Sequence, residues 1–190
     1  MLTGETVHLA TLEGDEITYI DKVEAKHVVR MHSRVGTVAN LHSAAVAKAI
    51  LAFLTIEERD LLLRGYVFAA RTQNSLTSRK ALEADLAASQ ERGYVLDAEE
   101  NEPGIHCVGM PIFDGSGQVE GAMSVSTPMS RISRKALVSF VPSLREATES
   151  VSRELGWEPA VRDAVDPRRG RMRRLKRLER AVQEPIEAVD

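Results

Sequence analysis

Two hydroxyls and a thiol sit at alternating positions in the stretch Gly104 to Pro128, GIHCVGMPIFDGSGQVEGAMSVSTP. On an extended chain Ser124 and Ser126 point the same way, with their hydroxyls roughly 7 Å apart. That separation spans a small carboxylate or hydroxy acid. The stretch reads as two strands joined at Asp114-Gly115-Ser116-Gly117, whose glycines supply the positive φ that hairpin turns need. Pairing Phe113 with Gln118 gives one face of His106, Val108, Met110, Ile112, Val119, Gly121, Met123 and Val125, which is packing material. The other face carries Ile105, Cys107, Gly109, Pro111, Glu120, Ala122, Ser124 and Ser126. Small side chains under a covering layer leave room, and room with a few polar groups is what a ligand pocket requires. A core sheet packed closely under a helix, with the serines bonded to backbone, is the competing reading.

Other reactive residue types carry less. His106 and Cys107 are adjacent, so on a strand they face opposite ways and cannot share an ion. The five histidines form no H-E-x-x-H, and there is no C-x-x-C, P-loop or G-x-S-x-G. No metal or cofactor is expected. Cys107 reads as a small hydrophobe lining a cavity or core rather than as a nucleophile. Asp97, Glu99, Glu100 and Glu102 read as a solvated acidic loop, since nothing fixes two of them at a working separation. A helix beginning near Ser43, with Ala44 and Ala45 small enough for close approach, can aim free N–H groups at an anion. That matters only if the helix meets the hairpin.

The elements that must position these residues follow from periodicity. Thr6–Ala10 and Ile17–Ile20 flank Glu13-Gly14-Asp15-Glu16 as an opening hairpin, with Asp21–Glu24 prolonging the second strand. Val28–His32 is another extended run, and Val35–Leu41 a loop. Ser43–Leu54 is apolar almost all round, which predicts a buried helix capped by His42 or Ser43. Thr55-x-x-Glu58 is a capping box opening a second helix that ends near Gly65. Thr77 or Ser78 caps a third, through Glu91, with Leu82, Leu86 and Ala87 on one side, closed by Gly93 before the strand Tyr94–Leu96. A long helical pattern from Ser130 to Leu155 contains Pro142, which marks a kink or a break.

The whole is a single ordinary domain with an appendage. A net charge of −3 offers no electrostatic footprint for nucleic acid, and 4% aromatics offer no stacking platform. One cysteine excludes an internal disulfide framework and fits a reducing cytoplasm. No apolar run reaches the roughly 18 residues of a membrane span, so a cytoplasmic protein is expected. After Gly156 the composition changes: Arg168–Arg180 is basic and Gln183–Asp190 acidic, which predicts a domain boundary near 157/158 and a flexible tail over 158–190.

Several segments, in order and at matching separations, resemble one family. They are Thr3–Ala10, Tyr19–Glu24, Arg30–Gly36, Leu41–Ala49, Arg92-Gly93-Tyr94, Gly104–Cys107 and Ser124-Val125-Ser126. Together they look like the C-terminal effector-binding domain of the IclR family of bacterial transcriptional regulators, over about Leu2 to Gly156. The resemblance implies an α/β, GAF-like domain: a central, mostly antiparallel sheet flanked by helices, with a small-molecule pocket on one face. It implies a pocket lining of Val28, Met31, Ala45, Val46, Asp97, Ile105, Cys107, Ser124 and Ser126. It also implies a small organic acid or aromatic catabolite as ligand and self-association into dimers or tetramers. No enzymatic activity is expected, since the sequence offers no nucleophile–base–orienter set. DNA contact in the family belongs to a winged helix-turn-helix domain, which is not expected within this sequence. Asn40-Leu41 stands where the family usually has Pro-Leu, and Val46-Ala47 where Leu-Gly or Ala-Gly is common. Those departures make the helix start bulkier and leave ligand size open. A small enzyme using Cys107 or Asp97, or an oligomerisation module with a vestigial pocket, are the alternatives.

Overall fold

The computed structural model describes residues 3–26 and 33–158. Val28 and Met31, the strand expected over Val28–His32 and the tail after Glu158 lie outside the described residues.

The chain opens with the expected hairpin, β1 (Thr6–Glu13) and β2 (Glu16–Val23). The helices α1 (Ala45–Phe53), α2 (Ile56–Leu62) and α3 (Arg79–Arg92) follow. Then come β3 (Val95–Ala98), β4 (Ile105–Phe113) and β5 (Val119–Pro128), and finally α4 (Arg134–Val138) and α5 (Val141–Glu154). The five strands form one sheet in the order β2-β1-β5-β4-β3, and every neighbouring pair is antiparallel. One face carries α1 and α3, the other α4 and α5. Because β4 is covered on both sides, eight of its nine residues are buried, whereas in the edge strand β2 only Ile17 is.

Local chemistry explains most boundaries. Thr55 and Glu58 form the reciprocal capping box at the start of α2. Ser78 caps α3, and Gly93 closes it at φ 77°, a conformation that costs glycine nothing. The buried line on α3 is Leu82, Leu86 and Ser89, at helical spacing, while Ala87 is exposed. Pro142 resolves as a break: it sits in the first turn of α5, where its missing N–H is not needed. One cap differs from expectation. The residue before α1 is Ala44, with no side-chain cap, and Ser43 instead donates toward Asn40 at 2.9 Å and Asn101 at 2.8 Å.

The β4–β5 register also differs from the simple pairing, in an instructive way. The turn spans Asp114 to Gln118, one residue longer than expected, with Asp114 Oδ1 accepting from the backbone N–H groups of Ser116 and Gln118. A bulge then inserts Glu120, so that Phe113 faces Val119 but Ile112 faces Gly121. Two one-residue shifts add to a two-residue shift, which leaves each side chain beyond the bulge on its expected face. Only Val119 changes sides, and it packs with α1 rather than with α5.

Gly109 is where the covering helix meets the sheet. A Cβ there would stand 2.7 Å from the Ala45 carbonyl oxygen and 3.0 Å from its carbon, both backbone atoms that cannot step aside. Gly109→Ala is therefore expected to lower stability by about 1–3 kcal/mol, read as a lower urea midpoint at unchanged m-value. An unchanged midpoint would show that α1 rides further from β4.

Candidate functional site

The small-faced strands floor a cavity of about 590 Å³ on the α1 side of the sheet. Its floor is two cross-strand rows. Asp97, Cys107 and Ser126 stand directly opposite one another on β3, β4 and β5. In the next row His8 of β1 faces Ser124, which faces Gly109. Ala44 and Ala45 roof the floor at the start of α1, and the segment Thr37–Leu41 forms one wall. Arg64, Tyr66 and Arg71 reach in from the connection after α2.

Of the residues expected to line a pocket, Ala45, Asp97, Ile105, Cys107, Ser124 and Ser126 come together here. Val46 does not show its side chain to the cavity: at 1% exposure it packs in the core with Ile50 and Leu51. Its contribution is confined to its backbone N–H in the uncapped first turn of α1, together with those of Ala45 and Ala47. Sequence reasoning missed His8, Tyr19, Tyr66, Arg71, Asn40 and Asn101, all in the lining. His8 carries a signal, because Thr6, His8 and Ala10 share one face of β1. Nothing local says that β1 lies beside β5.

Hydrogen bonds hold the floor. His8 Nε2 lies 2.6 Å from Ser33 Oγ, and His8 Nδ1 lies 3.3 Å from Ser126 Oγ. Lys22 Nζ donates to the Ser33 carbonyl at 2.9 Å. Cys107 stands between Asp97 and Ser126 as their cross-strand neighbour. Asp97 Oδ1 accepts from the N–H groups of Glu100 at 2.7 Å and Asn101 at 3.3 Å, closing a turn in which Glu99 takes φ 59°. The expected solvated acidic loop is thus partly wrong. Asp97 and Glu100 are buried, and Glu100 is held by Lys48.

Lys48 explains how an apolar helix tolerates a cation. It is fully buried, and its ammonium donates to Glu100 Oε2 at 2.5 Å, the Leu96 carbonyl at 2.6 Å and Asp85 Oδ2 at 2.9 Å. All three donors are used, and α1 is tied to α3 and to the end of β3. Removing one partner of such a buried set leaves an uncompensated charge, which costs about 3–5 kcal/mol.

The electrostatics of the floor are those of neutral donors and acceptors. Burial, and then the Lys22 charge, lower His8 to about 4, so the imidazole is uncharged at pH 7. Burial holds the Cys107 thiol well above its usual range, and burial likewise raises Tyr19. Burial and the Glu100 charge push the Asp97 carboxyl up to about 7, against the pull of its backbone N–H partners. Among the described residues no group of three His, Cys, Asp or Glu can hold a metal ion.

Asp97 and His8 give opposite pH dependence. Folded Asp97 keeps its proton up to about pH 7, whereas an unfolded Asp loses it near 3.9. Its stabilising term is therefore full below about pH 4 and lost as pH rises to 7. Folded His8 refuses a proton above about pH 4, so its term is gained as pH rises from 4 to 6.5. The two offset each other in the native chain. Asp97→Asn removes one arm, so the stability of the variant relative to the native chain should rise between pH 4 and 7, by up to several kcal/mol. Urea titrations at half-unit pH steps measure it. A constant difference would mean that Asp97 ionises normally.

Comparison with known proteins agrees with this architecture. Residues 1–153 match the family described as bacterial transcriptional regulator IclR C-terminal. The HTH-type transcriptional regulator XynR of Escherichia coli is 40% identical over 155 residues, covering 82% of this chain and 62% of XynR. The crystal structure of the Thermotoga maritima IclR superposes with a TM-score of 0.77 at 39% identity, over 82% of this chain and 63% of that one. The C-terminal domain of Escherichia coli KdgR gives 0.74 at 34% identity, over 82% of this chain and 90% of that domain. This chain therefore spans about 60% of the length of the curated relatives it matches. With a family match over residues 1–153 and the same sheet and helices, the chain belongs to the IclR family of transcriptional regulators, in the region of their C-terminal domain.

Proposed function

We propose that the cavity over β3, β4 and β5 is an effector site and that the chain is the ligand-sensing part of a transcriptional regulator. One observation carries this reading. The uncapped first turn of α1 faces Ser124, Ser126 and Cys107 across a cavity large enough for a small organic molecule. Free N–H groups at a helix start favour an anion, and the two serine hydroxyls supply adaptable partners beside it. Ser124 and Ser126 are both buried, and Ser124 makes no hydrogen bond to the described residues, so its hydroxyl is available. The ligand class is a small organic acid, aliphatic or aromatic.

Regulation requires that the ligand bind one arrangement of the protein better than another. In this reading the chain self-associates, and occupancy of the cavity changes the geometry between copies. DNA contact is assigned to the part of such regulators that lies outside the matched residues. The basic run Arg168–Arg180 is not assigned a DNA-reading role, since phosphate neutralisation alone carries no sequence information.

The enzymatic alternative has less support. A nucleophilic cysteine needs its thiolate, and here burial keeps Cys107 as a thiol. His8 contacts Ser126 and Ser33 rather than Cys107. The Ser33 hydroxyl does meet His8 Nε2, but the other ring nitrogen of His8 meets the Ser126 hydroxyl rather than a carboxylate, so the third group that orients and charges a catalytic imidazole is not in place. No described helix is long and apolar enough to cross a membrane.

Two measurements test the reading. A thermal-shift screen of small organic acids should find a ligand. At about 100 times its dissociation constant that ligand stabilises the chain by roughly 2.7 kcal/mol, without turnover. Ser124→Ala and Ser126→Ala should each weaken it by about 0.5–3 kcal/mol. Unchanged affinity in both folded variants would place the site elsewhere, and turnover would favour an enzyme. Sedimentation at micromolar concentration should show a dimer or tetramer, because symmetric operators are read by symmetric proteins. A monomer throughout would remove the proposed route from ligand to DNA.

A further inference from the structure

The opposite face of the sheet holds a second cavity, of about 230 Å³, between the edge strand β3 and α4. Alternation along β3 separates the two spaces: the Asp97 side chain meets Cys107 in front, while Leu96 and Ala98 line the cavity behind. Leu137 and Met129 complete apolar walls. His106 lines this cavity too, at 3% exposure, and its Nε2 is buried without a hydrogen-bond partner. Thr127 stands directly opposite it on β5, fully buried, and its hydroxyl is also unpaired.

Unpaired buried polar atoms are uncommon in folded proteins, since each gives up its hydration with no hydrogen bond in return. Of the two, His106 lines the cavity, and its unpaired nitrogen points to something that fills it. Burial lowers the affinity of His106 for a proton, and the Ile132 carbonyl accepts from the other side of its ring. Nε2 is then an acceptor that calls for a donor. Arg134 and Glu99 both stand at the lining, and their opposite charges give neither an anion nor a cation an advantage. A cavity of about 150 Å³ with apolar walls is enough to hold benzene, so this one accommodates a substituted six-membered ring.

We propose that the cavity behind β3 is a second small-molecule site, distinct from the front cavity, for a compact uncharged molecule with an apolar body and one hydrogen-bond donor, an alcohol or a phenol. Its hydroxyl donates to His106 Nε2, and its body packs between Leu96 and Leu137. This site does not depend on what the front cavity binds.

Phenol is the probe, with toluene as the same shape lacking the donor and benzoate as the anion. The whole chain, with ¹⁵N in its histidine rings, is titrated with each and followed by NMR. Phenol should shift the His106 Nε2 resonance saturably, binding roughly three- to tenfold more tightly than toluene, as expected for one net hydrogen bond. Benzoate should bind more weakly than phenol. Ala98→Phe fills the cavity from the edge strand, and Leu137→Phe fills it from α4. Either should abolish the His106 response, and the titration of the native chain stands even if neither variant folds. Shifts confined to the other histidines would put phenol in the front cavity and overturn the proposal. So would equal response to toluene, or no saturable shift up to the solubility limit of phenol, which would mean a space filled by water.

Discussion

Everything in the front cavity depends on how closely α1 can approach the sheet. They meet at Gly109, where the Ala45 carbonyl occupies the space a side chain would need. That approach brings the first turn of α1 over Ser124 and Ser126 and leaves its N–H groups facing inward, with no side chain at Ala44 to satisfy them. A bulkier residue at 109 would lift the helix. A serine at 44 would cap it. Both absences are small in mass and large in effect, because they turn a packed layer into a binding surface.

The second constraint is the buried ammonium of Lys48. An isolated charge in a core is costly, and this one is tolerated because three acceptors surround it at hydrogen-bonding distance. Its partners lie on α3 and at the end of β3, so the same contact that neutralises the lysine fixes Glu100. The N–H of Glu100 in turn holds the Asp97 carboxylate. A core ion pair thus sets the position of a cavity residue two links away. This is how a site built from strand residues stays rigid next to a loop.

The chemistry that results is quiet. His8 is uncharged at neutral pH and Cys107 keeps its proton, while Asp97 sits near the middle of its titration. Such a floor offers donors and acceptors rather than reactive charge, which suits recognition. The rear of the sheet contrasts with it: apolar walls and two unpaired polar atoms, on the other side of the same strand.

Local sequence determined the opening hairpin, the capping box at Thr55, the glycine stop at Gly93 and the burial of α1, because each rests on interactions within a few residues. It also determined which side chains of β4 and β5 share a face, since alternation survives a two-residue change of register even though the turn and the bulge at Glu120 were not legible. The resemblance in spaced motifs carried the family and six of the cavity residues. Tertiary structure decided the rest. Only the pairing of β1 with β5, more than a hundred residues apart, brings His8 to Ser124 and Ser126. Only burial separates Asp97 and Glu100 from an ordinary acidic loop and turns Val46 into the core. Strand order and desolvation are properties of the assembled layers. No window of sequence contains them, because the groups that define each environment come from distant parts of the chain.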